Sequence, residues 1–345
     1  MTEETILVTG GAGYIGSHTI VALQETTSYR IVSVDNYSNS NEKTYPRITA
    51  ITGKEVTYRQ VDLADRAATE KLFDEFPGIT GVIHFAALKS VPESVSHPVD
   101  YYRNNINSLL NVLEAGAKRR MKNFIFSSSC SVYGNITSLP VNEFTVPGKT
   151  ESAYANTKAV GELIMADFLR AHPAIKGISL RYFNPAGAHP TGKLGELPGL
   201  RPSNLVPVIT RTAIGKLPQT LVYGGDYPTR DGTCIRDYVH VCDIADAHVK
   251  ALNQLISDTA APQYDLFNLG TGEGVTVLEA IRSFENVTGQ KLNYRIADRR
   301  AGDVAAIYSD CSRAKELLHW SAKKSLDEMM MSAWKWEQRL LEEGI

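Results

Sequence analysis

The chain has 345 residues, with 36 lysines and arginines against 38 aspartates and glutamates, and therefore a formal net charge of −2. Such a balance gives no global attraction to nucleic acid or to an anionic membrane, so we expect any phosphate binding to be local. The length suits one large or two modest domains.

The first segment of the chain has the pattern of a strand, a glycine turn and a helix. Thr5 to Thr9 is a short apolar, β-branched run that predicts a buried strand, and Ile15 to Leu23 follows a helical pattern. Of the glycines between them, Gly10 permits a sharp turn, Gly13 a close approach of phosphate, and Gly16 tight packing of helix on strand. The free amides at the helix N-terminus then predict a dinucleotide pyrophosphate site.

A second predicted strand, Tyr29 to Val34, ends at Asp35. Such units place a carboxylate here, where it accepts hydrogen bonds from the adenosine ribose and repels a 2′-phosphate. We therefore predict NAD rather than NADP as the cofactor. The alternative is a surface aspartate that caps a turn before Asn36.

Further apolar runs alternate with helical patterns. The predicted strands are Glu55 to Val61, Gly81 to Phe85, Phe124 to Ser127 and Ile178 to Phe183, and the helices are Asp65 to Glu75, Asn104 to Lys118 and Tyr154 to Ala171. Continuous hydrophobicity with intervening helices indicates parallel strands covered on both faces. The prediction is an α/β fold with a doubly wound parallel (Rossmann) sheet.

The sequence changes character after Phe183, because glycine and proline are dense between residues 184 and 235. This predicts a smaller substrate-binding lobe over the strand ends. We place a Rossmann domain at residues 1–183 and the lobe at 184–345. Arg236 to Val241 is expected to be a strand followed by a helix at Ile244 to Leu255, so that about 236–270 returns to the first domain.

A second glycine cluster, Gly270, Gly272 and Gly274, follows the apolar run Tyr264 to Leu269. Counted from Gly272, Val277 occupies the place of the third glycine. The close helix packing of a nucleotide loop is therefore missing, and we interpret this cluster as a structural turn.

Chemistry is predicted at Tyr154 and Lys158, which are four residues apart and so project from one face of a helix. A phenol with a pKa near 10 is a poor base, but a nearby ammonium and the positive ring of NAD would lower that pKa. Ser129, at the end of a predicted strand, could relay the proton. The same residues could instead be a packed surface tyrosine with an unrelated lysine, and a serine that only caps a turn.

These motifs resemble the extended short-chain dehydrogenase/reductases, and further strings resemble the UDP-glucose (UDP-galactose) 4-epimerases. Those strings are Asp35-Asn36-Tyr37-Ser38-Asn39-Ser40, His84-Phe85-Ala86-Ala87-Leu88-Lys89-Ser90-Val91, Leu180-Arg181-Tyr182-Phe183-Asn184-Pro185-Ala186-Gly187-Ala188-His189, Asp231-Gly232-Thr233-Cys234-Ile235-Arg236-Asp237-Tyr238 and Arg299-Arg300-Ala301-Gly302-Asp303-Val304. The resemblance extends from Thr5 to about Trp336.

The resemblance implies roles for individual positions. The implied NAD site is Gly10, Gly13, Tyr14, Ile15, Gly16, Asp35, Asn36, Ser40, Asp62, Leu63, Phe85, Ala86, Lys89, Asn104, Tyr154, Lys158 and Tyr182. The implied UDP-sugar site is Lys89, Ser129, Tyr154, Tyr182, Phe183, Asn184, Asn204, Leu205, Arg236, Arg300, Asp303 and Ile307, with Ser129, Tyr154 and Lys158 catalytic. The two arginines could pair with a diphosphate, although Arg236 followed by Asp237 could also form a simple salt-bridged turn.

The implied reaction interconverts UDP-galactose and UDP-glucose through a 4-keto sugar, with hydride passed to a permanently bound NAD and returned to the opposite face. Ile307 stands where relatives restricted to these sugars carry Tyr and those that accept N-acetylated sugars carry Cys or Ser. We expect preference for UDP-glucose and UDP-galactose and weak acceptance of the N-acetyl sugars.

Two different functions are compatible with the same fold. A nucleotide-sugar 4,6-dehydratase or decarboxylase would need an acid near Ser129-Cys130-Ser131, where this chain has none. A non-catalytic NAD-sensing protein would keep the fold without turnover, but such proteins usually lose the Tyr154 and Lys158 pair that is intact here. Both features favour the epimerase.

Other features of the sequence predict the thiol state, location, partners and oligomeric state of the protein. Four cysteines without CxxC spacing and eight scattered histidines predict reduced thiols and no metal site. The acidic start and the lack of a long apolar run predict a soluble, cytoplasmic protein with neither nucleic acid nor membrane as partner. Asn105 to Leu113 and Ala159 to Phe168 have apolar positions on more than one face, which predicts a homodimer like those of the family.

Overall fold

A seven-stranded sheet, parallel throughout, forms the centre of the computed structural model, which describes residues 4–197, 204–300 and 303–345. Its strands are β1 (Thr5–Thr9), β2 (Arg30–Asp35), β3 (Thr57–Gln60), β4 (Ile79–His84), β5 (Asn123–Ser129), β6 (Lys176–Tyr182) and β11 (Tyr264–Leu269). They lie in the order β11-β6-β5-β4-β1-β2-β3. The chain therefore runs outward in both directions from β1 and β4, and the predicted Rossmann sheet is confirmed.

Helices cover both faces of this sheet. They are α1 (Tyr14–Thr26), α2 (Thr44–Thr52), α3 (Arg66–Glu75), α4 (Val91–Ser96), α5 (Pro98–Ala117), α6 (Ala153–Ala171) and α8 (Val241–Ser257). Successive side chains of β1 alternate between the faces, so Ile6 and Val8 pack with α1 and α8 while Leu7 packs with α3, α5 and α6. Two apolar cores result, one on each side of the sheet.

Some helices of the structure differ from the prediction. The helix expected from Asn104 begins at Pro98, because proline suits the first turn of a helix and Asp100 is favourable there. The short helices α2 and α4 were not predicted. Both lack a long apolar stripe, and the structure buries only Thr44, Tyr45 and Ile48 of α2.

Most of the remaining elements build a smaller lobe with its own apolar core around Ile281, Phe284, Met329 and Met330. They are β7 (Asn184–Ala186), α7 (Leu205–Ala213), β8 (Thr220–Tyr223), β9 (Ile235–Arg236), β10 (Tyr238–His240), β12 (Val275–Thr276), α9 (Val277–Thr288), β13 (Tyr294–Ala297), β14 (Ala306–Ile307) and α11 (Leu326–Glu342). Three small sheets pair them as β10-β7, β12-β9-β14 and β13-β8. The short helix α10 (Ser312–Leu317) instead packs against β11 of the large sheet. Pro198, Gly199 and Pro202 of the glycine- and proline-rich segment, and Ala301 and Gly302, lie outside the described residues.

The run from Arg236 to Val241, predicted as one strand, is divided into β9 and β10 at Asp237. The Asp237 carboxylate is fully buried and accepts five hydrogen bonds, from the amide and hydroxyl of Thr271, the amide of Gly272, and the amide and hydroxyl of Ser309. The second glycine cluster is thus folded around a carboxylate of the protein itself. Beyond β10, α8 packs on α1 and β11 pairs with β6 at the edge of the large sheet.

The four cysteines, Cys130, Cys234, Cys242 and Cys311, all have free thiols, as the sequence predicts. Among residues 4–197, 204–300 and 303–345, the structure contains no helix with the length and apolar character of a membrane span.

Candidate active site

A cavity of about 480 Å³ lies where the carboxyl ends of β1, β2, β4 and β5 meet. Every residue that the sequence assigned to the cofactor lines it. They are Gly10, Gly13, Tyr14, Ile15, Gly16, Asp35, Asn36, Ser40, Asp62, Leu63, Phe85, Ala86, Lys89, Asn104, Tyr154, Lys158 and Tyr182. Residues far apart in the chain therefore share one wall, as the edge of a doubly wound sheet requires.

The first glycine loop needs glycine at Gly10 and Gly16 because of its own backbone. Gly10 has φ +66°, and a Cβ there would lie 2.9 Å from the Ala86 amide nitrogen. A Cβ on Gly16 would lie 2.3 Å from the carbonyl oxygen of Gly10. Gly13 is different, because it lines the cavity and caps α1 without any side-chain hydrogen bond to the first helical amides. Those amides can bind an anion placed in the cavity.

Asp35 is held rigidly at the end of β2. Its carboxylate accepts hydrogen bonds from the Ala12 amide at 3.1 Å, the Tyr37 amide at 2.9 Å and the Ser40 hydroxyl at 2.7 Å. Only 7% of the residue is exposed, and it faces the cavity that the glycine loop lines. A fixed carboxylate near uncapped amides fits the ribose and pyrophosphate of a dinucleotide without a 2′-phosphate.

Tyr154 and Lys158 lie in the first turns of α6. The helix starts where the Ser152 hydroxyl accepts a hydrogen bond from the Ala155 amide at 3.2 Å. Lys158 is buried and its Nζ donates to the Ser127 carbonyl at 2.7 Å, while lying 5.9 Å from the centre of the Tyr154 ring. Ser129 acts on the Tyr154 hydroxyl and lowers its pKa, so the three predicted catalytic residues lie close together.

Burial is the largest influence on the pKa values of both Tyr154 and Lys158. Burial raises the pKa of Tyr154 to about 12, against a smaller lowering by its hydrogen bond with Ser129. Burial also lowers the pKa of Lys158 to about 8, with the charge of Glu162 acting in the opposite direction. In the protein alone, burial therefore outweighs the hydrogen bond that favours phenolate, and the Lys158 ammonium bonds to the Ser127 carbonyl. The predicted lowering of the Tyr154 pKa depends on Lys158 and the positive ring of NAD together and stays a prediction.

A buried ion pair below the catalytic residues was missed by the sequence reasoning. Arg181 Nε donates to Glu162 at 2.8 Å, and the Ser128 hydroxyl donates to the same carboxylate at 2.5 Å. The Ser127 hydroxyl forms a hydrogen bond with the Tyr182 hydroxyl. The consecutive serines of β5 therefore contact different partners. A signal was present, since Glu162 is one helical turn beyond Lys158 and on the same face.

The predicted substrate residues divide into two groups. Lys89, Tyr154, Tyr182 and Asn204 line the cavity, and Ser129 adjoins it through Tyr154. Phe183, Asn184, Leu205, Arg236, Arg300, Asp303 and Ile307 do not line it. Within the second group, Phe183 and Ile307 pack together in a small apolar cluster with Cys130.

The two predicted phosphate-binding arginines meet at one carboxylate. Asp303 Oδ1 lies 2.9 Å from Arg300 Nη2 and 3.5 Å from Arg236 Nη2. Arg236 also donates to the Val304 carbonyl at 2.8 Å, whereas Arg300 borders a separate shallow depression with Tyr223 and Arg299. The lobe therefore presents a cationic group outside the main cavity, with one carboxylate between two guanidinium groups.

Comparison with known proteins adds the family. The model of the NAD dependent epimerase/dehydratase family matches residues 6–270. The UDP-glucose 4-epimerase of Bacillus subtilis (strain 168) is 47% identical over 332 residues, 96% of each chain. A UDP-glucose 4-epimerase structure from Stenotrophomonas maltophila, with bound NAD and formylated UDP-arabinopyranose, is 42% identical with a TM-score of 0.94, covering 99% of this chain and 100% of that one.

A second solved structure agrees closely. The Bifidobacterium longum UDP-glucose 4-epimerase, in complex with NAD+ and UDP, is 43% identical with a TM-score of 0.91, and the match covers 97% of this chain and 98% of that one. The resemblance seen in the sequence motifs is confirmed over nearly the whole chain. The chain belongs to the NAD dependent epimerase/dehydratase family.

Proposed function

We propose that the protein is a UDP-glucose 4-epimerase, which interconverts UDP-galactose and UDP-glucose by inverting C4 of the hexose. The observation that carries this proposal is the position of Tyr154, near Ser129 and Lys158, on the cavity that the glycine loop and Asp35 also line. The name and full-length similarity of the Bacillus subtilis relative support the same activity.

The residues that would hold NAD are those of the cavity wall. The uncapped amides of α1 would bind the pyrophosphate, and Asp35 would accept hydrogen bonds from the adenosine ribose. When bound, NAD supplies a hydride acceptor and donor for C4 and a positively charged ring beside Tyr154. Because hydride is taken and returned in each turnover, the cofactor need never leave.

Tyr154 and Ser129 would move the proton. Tyr154 as phenolate takes the proton of the 4-hydroxyl, through or beside Ser129, and returns it when the 4-ketone is reduced on its other face. Since burial holds the pKa of Tyr154 at about 12, the phenolate needs positive charge near it. Lys158 supplies such a charge from the same helix face, with Nζ 5.9 Å from the ring centre.

The lobe would anchor the nucleotide. We assign residues 1–183 to NAD binding and 184–345 to the UDP-sugar, with about 236–270 belonging structurally with the first part. Arg236 and Arg300 would pair with the diphosphate, and Asp303 would orient both guanidinium groups. Phe183, Asn184, Asn204 and Leu205 would complete the site. Such an anchor lets the 4-keto sugar rotate and present its other face while the UDP stays bound.

Ile307 is proposed to set the choice of sugar. It is buried against Phe183 in the cluster next to Cys130, which follows Ser129 directly. A branched side chain there leaves less room for an N-acetyl group than Ser or Cys would. We expect UDP-glucose and UDP-galactose to be preferred over the N-acetyl sugars, and Ile307→Ser to reduce the difference in kcat/KM. Comparable turnover of both sugar types by the natural protein would contradict this.

The test of the activity uses the purified protein without added NAD. We expect it to convert UDP-galactose to UDP-glucose, and Tyr154→Phe to lower kcat by about a hundredfold or more. Tyr29→Phe is a matched control, because the Tyr29 hydroxyl bonds Asn253 away from the cavity. A Tyr154→Phe variant that retains most of the rate would refute the mechanism. Loss of water from the sugar would indicate a dehydratase, and binding of NAD without turnover would indicate a sensor.

A homodimer is proposed from the surface of two neighbouring helices. The helices α5 and α6 pack together, and they leave Val99 of α5 61% exposed and Leu163 of α6 66% exposed. A second copy could cover these apolar side chains. Sedimentation should give a dimer at micromolar concentration that Leu163→Glu dissociates. The cytoplasmic location stays a prediction from the sequence.

A further inference from the structure

One segment of the lobe reaches the cofactor cavity and joins the two parts of the molecule. We call residues 187–197, which follow β7, the strap. On the Rossmann side, the Tyr14 hydroxyl donates to the Gly187 carbonyl at 2.6 Å, and the Lys193 ammonium donates to the Ala50 carbonyl at 3.3 Å. Gly195, Glu196 and Leu197, at the end of the strap, line the cavity. The strap therefore contributes part of the wall around the proposed NAD site.

Glu196 connects two residues that the site uses. Its Oε1 accepts a hydrogen bond from Lys89 Nζ at 2.7 Å and from Asn204 Nδ2 at 3.3 Å. Lys89 follows β4 in the Rossmann part, whereas Asn204 caps α7 in the lobe. The Glu196 side chain is 17% exposed and that of Lys89 is 53% exposed, so the pair lies where the cavity opens to solvent.

The backbone of the strap is fixed at the same point. The Trp336 indole of α11 donates to the Glu196 carbonyl at 2.8 Å. Gly195 lies against the same ring, since a Cβ there would be 2.5 Å from the nearest ring carbon. Trp336 is buried, and Glu196 can therefore move its carboxylate without freeing its main chain. This arrangement localises any opening to the Lys89–Glu196 contact.

We propose that Glu196 is a positioning residue that latches the strap to Lys89 and so slows the escape of NAD from the cavity. The proposal rests on the proposed function only in that the cavity holds NAD. An ammonium has three donors, so Lys89 can bind Glu196 and a phosphate oxygen together. The carboxylate holds the lysine at the cavity opening, within 5.9 Å of the Tyr14 ring centre. Release of the dinucleotide requires this contact to break.

The experiment measures cofactor exchange in the holoenzyme. Protein carrying unlabelled NAD is mixed with excess isotope-labelled NAD, and the bound nucleotide is analysed over time. We expect Glu196→Gln to exchange about fivefold faster than the natural protein, the size of a partly exposed ion pair. Glu196→Asp, which keeps the charge, should lie between the two. Added salt should speed exchange in the natural protein and have little effect in Glu196→Gln.

Glu343→Gln is the matched control. Glu343 pairs with Arg47 and also joins the Rossmann part to α11, but it does not line the cavity. If Glu343→Gln and Glu196→Gln accelerate exchange equally, or if Glu196→Gln exchanges no faster than the natural protein, the latch is overturned. A natural protein that holds no NAD overturns both this inference and the proposed function. A protein that holds NAD but lacks epimerase activity would contradict only the proposed function.

Discussion

The two glycine loops follow strands of the same sheet but are used in opposite ways. The loop after β1 leaves the amides of α1 facing a cavity, because its N-cap is Gly13 and no side chain caps them. The loop at residues 270–274, after β11, surrounds the buried carboxylate of Asp237. Its following helix, α9, has a complete capping box between Thr276 and Glu279.

The difference shows what separates a ligand loop from a structural loop of similar sequence. Glycines permit the backbone to present its amides in both loops. What matters is whether the protein supplies its own anion. Asp237 fills the second loop from a neighbouring segment, whereas Asp35 stands beside the first loop and leaves the amides of α1 available. The variants below test this distinction.

The largest effect is expected from Asp237→Ala. Five hydrogen bonds would lose their acceptor in a buried site, and we expect the free energy of unfolding to fall by more than about 3 kcal/mol. Urea unfolding measures it. NAD content per folded molecule should remain unchanged, because the second loop takes no part in cofactor binding. Loss of NAD from a variant of normal stability would contradict the comparison.

The next largest effect is the contribution of Lys158 to the dependence of the free energy of unfolding on pH. Burial lowers its pKa from 10.5 to about 8, so between these values the unfolded chain binds more protons than the folded protein. The free energy of unfolding should therefore rise with pH across this window, by about 3 kcal/mol from this group. Above pH 10 the raised pKa of Tyr154 acts in the opposite direction.

Lys158→Met tests the origin of that rise. Urea unfolding from pH 7.5 to 10 should show a more positive change of stability with pH in the natural protein and in Lys291→Met, whose side chain is 90% exposed, than in Lys158→Met. The comparison isolates Lys158 because the buried thiols of Cys130, Cys242 and Cys311, whose pKa values are raised, lower the stability above pH 9 equally in all three proteins. Equal slopes of stability against pH in all three proteins would show that burial of the Lys158 ammonium, which lines the same cavity as the first loop, does not destabilise the fold. The contrast with Asp237, a buried charge with five donors, would then be lost.

Much of the first loop and its surroundings could be predicted from local sequence. Thr5–Thr9 has the bounds expected of it, and Asp35 faces the cavity, because strand hydrophobicity and motif spacing are local properties. The structural character of the second loop could be predicted from Val277, but not the carboxylate that fills it. Asp237 precedes Gly270 by more than thirty residues, and the pairing of β9 with β12, the strand after the loop, brings them together.

The catalytic group shows the same limit. The spacing of Tyr154 and Lys158 placed both on one helix face, but it did not indicate that burial would raise the pKa of Tyr154. Burial is set by the whole environment of α6, which the pattern of one helix does not contain. Glu196 was missed for a related reason, since nothing near it in sequence marks its contact with Lys89.

A smaller effect is expected from Gly13→Val, which tests the open loop directly. The nearest atom to a Cβ at Gly13 is the Gly10 carbonyl oxygen at 3.1 Å, a tight contact that requires the loop to shift by a few tenths of an ångström. The added methyl groups would occupy the approach of the phosphates. We expect at least about tenfold weaker retention of NAD, about 1.4 kcal/mol, measured as bound nucleotide after dialysis. Unchanged retention would show that the pyrophosphate lies elsewhere.

The smallest effect is expected from Gly272→Ala in the filled loop. Gly272 has φ +79°, which costs an L-residue about 1 kcal/mol, whereas the nearest atom to a new Cβ is the Ser309 carbonyl oxygen at 3.4 Å, an ordinary contact. The free energy of unfolding should fall by about that amount, with NAD retention and epimerase rate unchanged. Because Gly13→Val should weaken NAD retention and Gly272→Ala should not, the two variants measured side by side separate a loop that binds a ligand from one that binds its own chain.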